Sequence, residues 1–237
     1  MQTKAINPYN AVVQKHKDAL DFIATNLPAD PTFDNLNEVL VNSIFSPTPD
    51  EGGLGDLISI FVGTVLPNAY NGYVNSGQFA VNNKQSTAIE STIGSYVKYT
   101  DSQLLIISKL LDGIKAVPVE NIGDYIVGME AEIAAARLSY VEQAPLFLCT
   151  ASAKADYDYW FAQINNPGSL WASYLNNDLA INYLHIGGWV QASTLGALLT
   201  YGMIKPPEIQ LLDVMSGVVG SIGLVAGKVV FGWVGFN

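Results

Sequence analysis

Residues 211–236 read LLDVMSGVVGSIGLVAGKVVFGWVGF, and where this stretch goes decides how the rest of the chain folds. It is almost wholly apolar, and Lys228 is the one charge in its later half. Ser216, Gly220, Gly223 and Gly227 follow one another at spacings of four, three and four. On a helix they form one smooth stripe that lets another backbone come close. Val218, Val219, Ile222, Leu224, Val225 and Val229 fill the remaining sides. A helix apolar nearly all round has to be buried, in protein or in lipid.

Just upstream, residues 189–204 carry no charge, and Lys205-Pro206-Pro207-Glu208 separates them from the final stretch. Residues 186–237 therefore predict a hydrophobic helical hairpin. Three uses of its glycine stripe follow: the centre of a bundle, insertion into a membrane, or self-assembly. Membrane insertion carries a cost, because Lys228 at a bilayer centre is unfavourable by about 2.5–3.5 kcal/mol.

The composition points the same way. Only 14% of the 237 residues are charged, against about 25% in an average soluble protein, and 49% are apolar. Such a chain has a large core, an oligomer interface or membrane contact. A net charge of -10 with a single arginine, Arg137, excludes nucleic acid as a partner, since phosphate binding needs clustered Lys and Arg. The one cysteine, Cys149, excludes an internal disulfide. The opening MQTKAINPYN has no apolar run typical of a signal peptide, so a cytoplasmic protein is expected, or an exported or membrane-associated one if a leader has been removed.

Helical periodicity dominates the chain. Asn7-Pro8 opens a first helix in which Tyr9, Val12, Val13, His16, Ala19, Leu20 and Ile23 recur on one face, and Pro28 ends it. A second helix starts at Thr32 or Asp34 and stops at Ser46-Pro47, burying Leu36 and Leu40. A short helix is expected over 57–66, followed by a long Asn/Gly/Ser/Tyr loop over 68–85. A long helix then runs from Ser86 or Thr87 to about Lys115, and another from Pro118 to about Tyr140, with Pro145 kinking or restarting the chain. Residues 169–175 form a short helix, and a loop carries His185 ahead of Gly187-Gly188. Residues 229–236 are the only stretch with strand-like alternation. The expected fold is all-α, a single-domain multi-helix bundle over 1–237.

No catalytic signature emerges. Glu130, Glu132, Glu142, Asp156 and Asp158 invite a di-iron reading, but the Glu-x-x-His pairs are missing, so these carboxylates are expected on solvated helix faces. His16 and His185 with Cys149 fit neither a zinc site nor a nucleophile and base. Cys149 sits in the apolar run LFLCTASA and is expected to be an inert core thiol, and His16 a helix-packing residue. The sequence implies no catalytic residue, no cofactor and no metal.

NPYNAVVQKHKDALDFI at 7–23, AKADYDYWF at 153–161 and DVMSGVVGSIG at 213–223 resemble, in the same order, a group of small bacterial helical proteins with a Gly/Ala-rich C-terminus and no assigned activity. The resemblance implies an all-α fold and a bacterial source. The expected function is non-enzymatic binding or self-assembly through packing surfaces, with Ser216, Gly220, Gly223 and Gly227 as the helix contact. The partner would be a second copy or another protein. The alternative is a membrane-active protein that shelters its hairpin in a soluble form, with Trp189, Phe231, Trp233 and Phe236 as membrane or partner contacts.

Overall fold

The computed structural model describes residues 7–10, 12–45, 99–203 and 210–231. Among them are seven α-helices and no strand: α1 (Val12–Asn26), α2 (Phe33–Phe45), α3 (Asp101–Ala116), α4 (Ile122–Ala135), α5 (Tyr140–Ile164), α6 (Leu179–Met203) and α7 (Gln210–Phe231). The all-α multi-helix bundle expected from periodicity is what the chain forms. The helix expected over 57–66 and the loop over 68–85 lie outside the described residues.

Helices α6 and α7 make the central hairpin. Every described side chain from Gly188 to Leu198 and from Val219 to Val229 is buried. Burying Val219, Ile222, Leu224 and Val225 contributes about 1.5–3 kcal/mol each relative to leaving them in water. The two helices are antiparallel, since Ser193 meets Ser221 while Gly196 meets Gly220. Helix α5 packs along α6, with Cys149 at Thr194 and Trp160 at Trp189. Helix α3 lies on another side of α6, where Gln191 Nε2 donates to the Leu111 carbonyl at 2.7 Å and the Tyr99 hydroxyl to the Leu198 carbonyl at 2.8 Å. Helices α1 and α2 cover α7 and the flank of α5.

Several boundaries differ from those expected. No helix runs unbroken through Thr100, which is extended and closes a capping box with Gln103. The break before α5 lies at Ser139, whose side chain caps Glu142, while Pro145 sits inside the second turn and removes one amide donor without ending the helix. The two boxes are joined, because Gln103 Nε2 also donates to the Glu142 carbonyl at 2.8 Å. Residues 169–175 form successive turns rather than a helix. His185, Gly187 and Gly188 lie within α6, which starts earlier because Asp178 accepts from the Ala180 amide at 2.9 Å. Pro8 and Asn10 belong to a turn ahead of α1 rather than to its first helical turn. Residues 229–231 are helical, so strand-like alternation there is overridden by the α7 packing face.

A buried polar hub between α1, α5 and α7

Asp156 occupies the inner face of α5 and is fully buried. Its neighbours one turn either way on the helix, Ser152 and Trp160, are buried with it, because α5 has partners on most sides. A carboxylate removed from water needs donors or a counter-charge to offset its lost hydration. Three arrive, from three helices. Trp160 Nε1 donates to Oδ1 at 3.0 Å from α5 itself, and Ser221 Oγ donates to Oδ2 at 3.2 Å from α7. His16 of α1 brings Nε2 to 2.9 Å from the same Oδ2, with both side chains at 0% exposure. The imidazole approaches off its N–H direction, so this is a close polar contact rather than an aligned hydrogen bond. Ser193 of α6 touches Ser221 in turn, so all four helices reach the hub.

Asp156 and Glu130 are thus not on solvated faces, as expected from sequence, but buried. Glu130 takes a hydrogen bond at 2.7 Å from Asn7 Nδ2, which also reaches the Phe147 carbonyl at 2.7 Å and Thr150 Oγ1 at 3.0 Å. A third polar contact lies further along: Tyr159 donates to Asp21 Oδ1 at 2.8 Å and accepts from Trp171 Nε1 at 2.7 Å. Burial first, with the Asp21 carboxylate adding to it, pushes the Tyr159 phenol well above its ordinary range. Trp171 meets Trp160 edge-on and Trp189 meets it tilted around this end, with ring centroids 5.0 and 5.1 Å from Trp160. Glu132 and Asp158, by contrast, are exposed and pair with Lys109 and Lys154.

The order of contacts in the hub limits its chemistry. A nucleophilic serine needs its hydroxyl on the imidazole, whereas here hydroxyl and imidazole both face the carboxylate, and none of the three is exposed. The arrangement suits holding helices in register. Among the described residues, no group of three or more His, Cys, Asp or Glu side chains is placed to hold a metal ion.

The residues singled out in the C-terminal stretch fall as follows. Gly220 faces Gly196 of α6, where an added Cβ on Gly196 would lie 2.0 Å from the Gly220 carbonyl oxygen. Gly223 and Gly227 are buried inside the chain. Ser216 lies in α7, with its side chain outside the described residues. Trp189 is a core residue at 4% exposure, Phe231 is half-buried against the core, and Trp233 and Phe236 are outside the described residues. Lys228 does not reach a polar edge, as its long side chain would allow, but is 7% exposed. Burial, then the Lys115 ammonium, lowers its pKa to about 8. His185 is lowered too, by burial first and then by Lys228.

The hub itself went unrecognised in the sequence, although half of its signal is there. His16 shares the α1 stripe with Ala19, Leu20 and Ile23, all buried, and a histidine on such a stripe requires a partner. Nothing local names that partner as Asp156. Compared with known protein families, curated proteins and solved structures, the chain matches none of them.

Proposed function

We propose that this is a non-enzymatic helical protein that acts through packing surfaces, binding another protein or a second copy of itself. The observation that carries this reading is the distribution of apolar side chains. The small-residue stripe is used inside the chain, while large apolar side chains stand out at two places: Leu105, Tyr140 and Val141 on α3 and α5, and Leu170, Leu179, Ile181 and Leu184 around the start of α6. Leu184 is 79% exposed and Leu105 73%. Isolated exposed leucines are ordinary, but several within one short segment mark a contact surface. The test is sedimentation velocity at low micromolar concentration, together with affinity capture of partners on immobilised protein. Leu184→Lys and Leu105→Glu should each reduce the associated fraction or the captured partner while leaving the circular dichroism unchanged. A monomer that captures nothing in either form would sink the proposal.

A second reading, a membrane-active protein, is favoured by one feature: the most apolar helix pair, α6 and α7, is sheltered at the centre by α1, α2, α3 and α5. Among the described residues no helix is long and apolar enough to cross a membrane. Dye release from phosphatidylcholine–phosphatidylglycerol vesicles separates the two: release supports this second reading, and its absence leaves the first.

A further inference from the structure

From the contrast between how α1–α2 and the other helices are held, we infer that the α1–α2 hairpin is a flap that opens as a unit over the central hairpin, and that Asp156 is the latch that closes it. The first observation is how little apolar surface holds these helices. Ala19, Leu20 and Ile23 of α1 and Leu36 and Leu40 of α2 are the apolar residues that the described parts of these two helices fully bury, with Ala24, Phe33, Val39 and Val41 partly buried, whereas α3 alone fully buries as many: Ile106, Ile107, Leu110, Leu111 and Ile114. The second is that α1 is fastened to α5 by polar contacts. Asn7 reaches Phe147 and Thr150, His16 reaches Asp156, and Asp21 meets Tyr159. These pairs advance together along both helices, so α1 lies parallel to α5 and is fastened at successive points. Polar groups that separate regain water, whereas apolar surfaces that separate do not. An interface of this composition is therefore less costly to open than the apolar contact between α6 and α7. Local opening follows such supersecondary units.

Asp156 is the latch because it alone among these anchors also binds the central hairpin, through Ser221. With the flap closed, the carboxylate faces imidazole, indole and hydroxyl. With the flap open, His16 leaves and water replaces it, and the face of α7 beside Ser221 is uncovered. The Tyr174 hydroxyl, donating to the Pro28 carbonyl at 2.8 Å, pins the turn between the two flap helices at the far end. The opening does not depend on whether the uncovered hairpin then meets a protein or a membrane.

Native-state hydrogen exchange on the full chain, read by mass spectrometry across low denaturant concentrations, tests this. In the unaltered protein, peptides covering 12–26 and 33–45 should exchange together through an opening with a small denaturant dependence, while 144–160 stays protected. Asp156→Asn should speed exchange in both flap peptides by about tenfold or more, the size expected for loss of a charged hydrogen-bonding group, and leave 122–135 unchanged. Should Asp156→Asn fail to fold, His16→Gln, which keeps size and a donor, should give the same pattern in weaker form. If the flap peptides in the unaltered protein exchange only with global unfolding, there is no flap. If either variant accelerates every helix alike, or none, Asp156 is not its latch.

Discussion

Gly196 and Gly220 face each other so closely that a Cβ on the first would lie 2.0 Å from the carbonyl oxygen of the second and 2.7 Å from the Ser221 amide nitrogen. The two central helices therefore touch backbone to backbone, and their separation is set by the absence of side chains at this point. Because the obstruction is main chain, it cannot swing aside as a flexible side chain would.

Gly196→Ala should accordingly destabilise the protein by about 1–3 kcal/mol or more through overpacking. Gly128→Ala is the control: it lies in α4, nothing stands within 4 Å of the place its methyl group would take, and replacing glycine inside a helix with such open space should stabilise by about 0.5–1 kcal/mol. Thermal melts of the two variants should shift in opposite directions. A Gly196→Ala protein that melts with the parent would show that the hairpin is not backbone-packed there.

Lys228 gives a stability change with a defined pH window. Its folded pKa, about 8, lies below that of an unfolded lysine, about 10.4, so the unfolded state holds the proton more tightly. Below pH 8 the ammonium is charged in both states, and the fold bears the full cost of burying it. As pH rises from 8 toward 10.5 the folded state sheds the proton first, and that cost disappears. Lys228→Met should therefore raise stability by about 1–3 kcal/mol at pH 7, and the gap between variant and parent should shrink by about pH 9.5. Urea midpoints for both proteins at the two pH values decide it, and a gap that is constant or of opposite sign contradicts the argument.

Asn7 lies ahead of α1, yet is 2% exposed and serves Glu130, Thr150 and the Phe147 carbonyl at once. Asn7→Ala takes this donor from the buried Glu130 carboxylate, while the Phe147 carbonyl keeps the Thr150 hydroxyl, and should cost about 1–3 kcal/mol, far more than a surface asparagine. Asn26→Ala, at the exposed end of α1, should stay within about 0.5 kcal/mol. Equal losses for the two would refute the anchoring role.

Cys149 is buried at 1% exposure, and burial pushes its thiol well above the ordinary range. Labelling by a thiol-specific disulfide reagent should be about a thousandfold or more slower than for an unfolded chain, and should rise with urea in step with the loss of helical signal. Fast labelling of the native protein would mean that α5 and α6 part on their own.

The helices were legible in the sequence wherever punctuation and periodicity agreed. For α2, Thr32 and Ser46-Pro47 bracket the apolar spacing of Leu36 and Leu40, and the helix runs from Phe33 to Phe45. They diverged where two signals competed. Ser139 and Glu142 form a capping box visible in the sequence, but Pro145 is the louder local signal, and its real cost is a single amide bond. The hub was out of reach for a different reason. A carboxylate near a lysine and a second carboxylate, as Asp156 is near Lys154 and Asp158, reads as solvated because burying one is costly. What reverses that sign is two donors, Trp160 and Ser221, and the close imidazole of His16, and the last two stand 65 and 140 positions away. Lys228 shows a similar limit: the sequence permits its long stem to reach water, yet it lies among buried α7 residues at 7% exposure.

Among the described helices, α7 is the one that follows all the others in the sequence. Helix α7 packs against α6, α5, α1 and α2, so the part of their packing surface that α1 and α2 find on α7 does not exist until residues 210–231 have been made. At about 5–20 residues per second, the interval between making α2 and making α7 is on the order of ten seconds or more, and through it α1 and α2 have no α7 to cover. The seating of α1 and α2 on α7, unlike that of α1 on α5, therefore waits until α7 has left the ribosome. Truncation ahead of α7 would leave an apolar α6 without its mate, a species prone to aggregate rather than a smaller working protein.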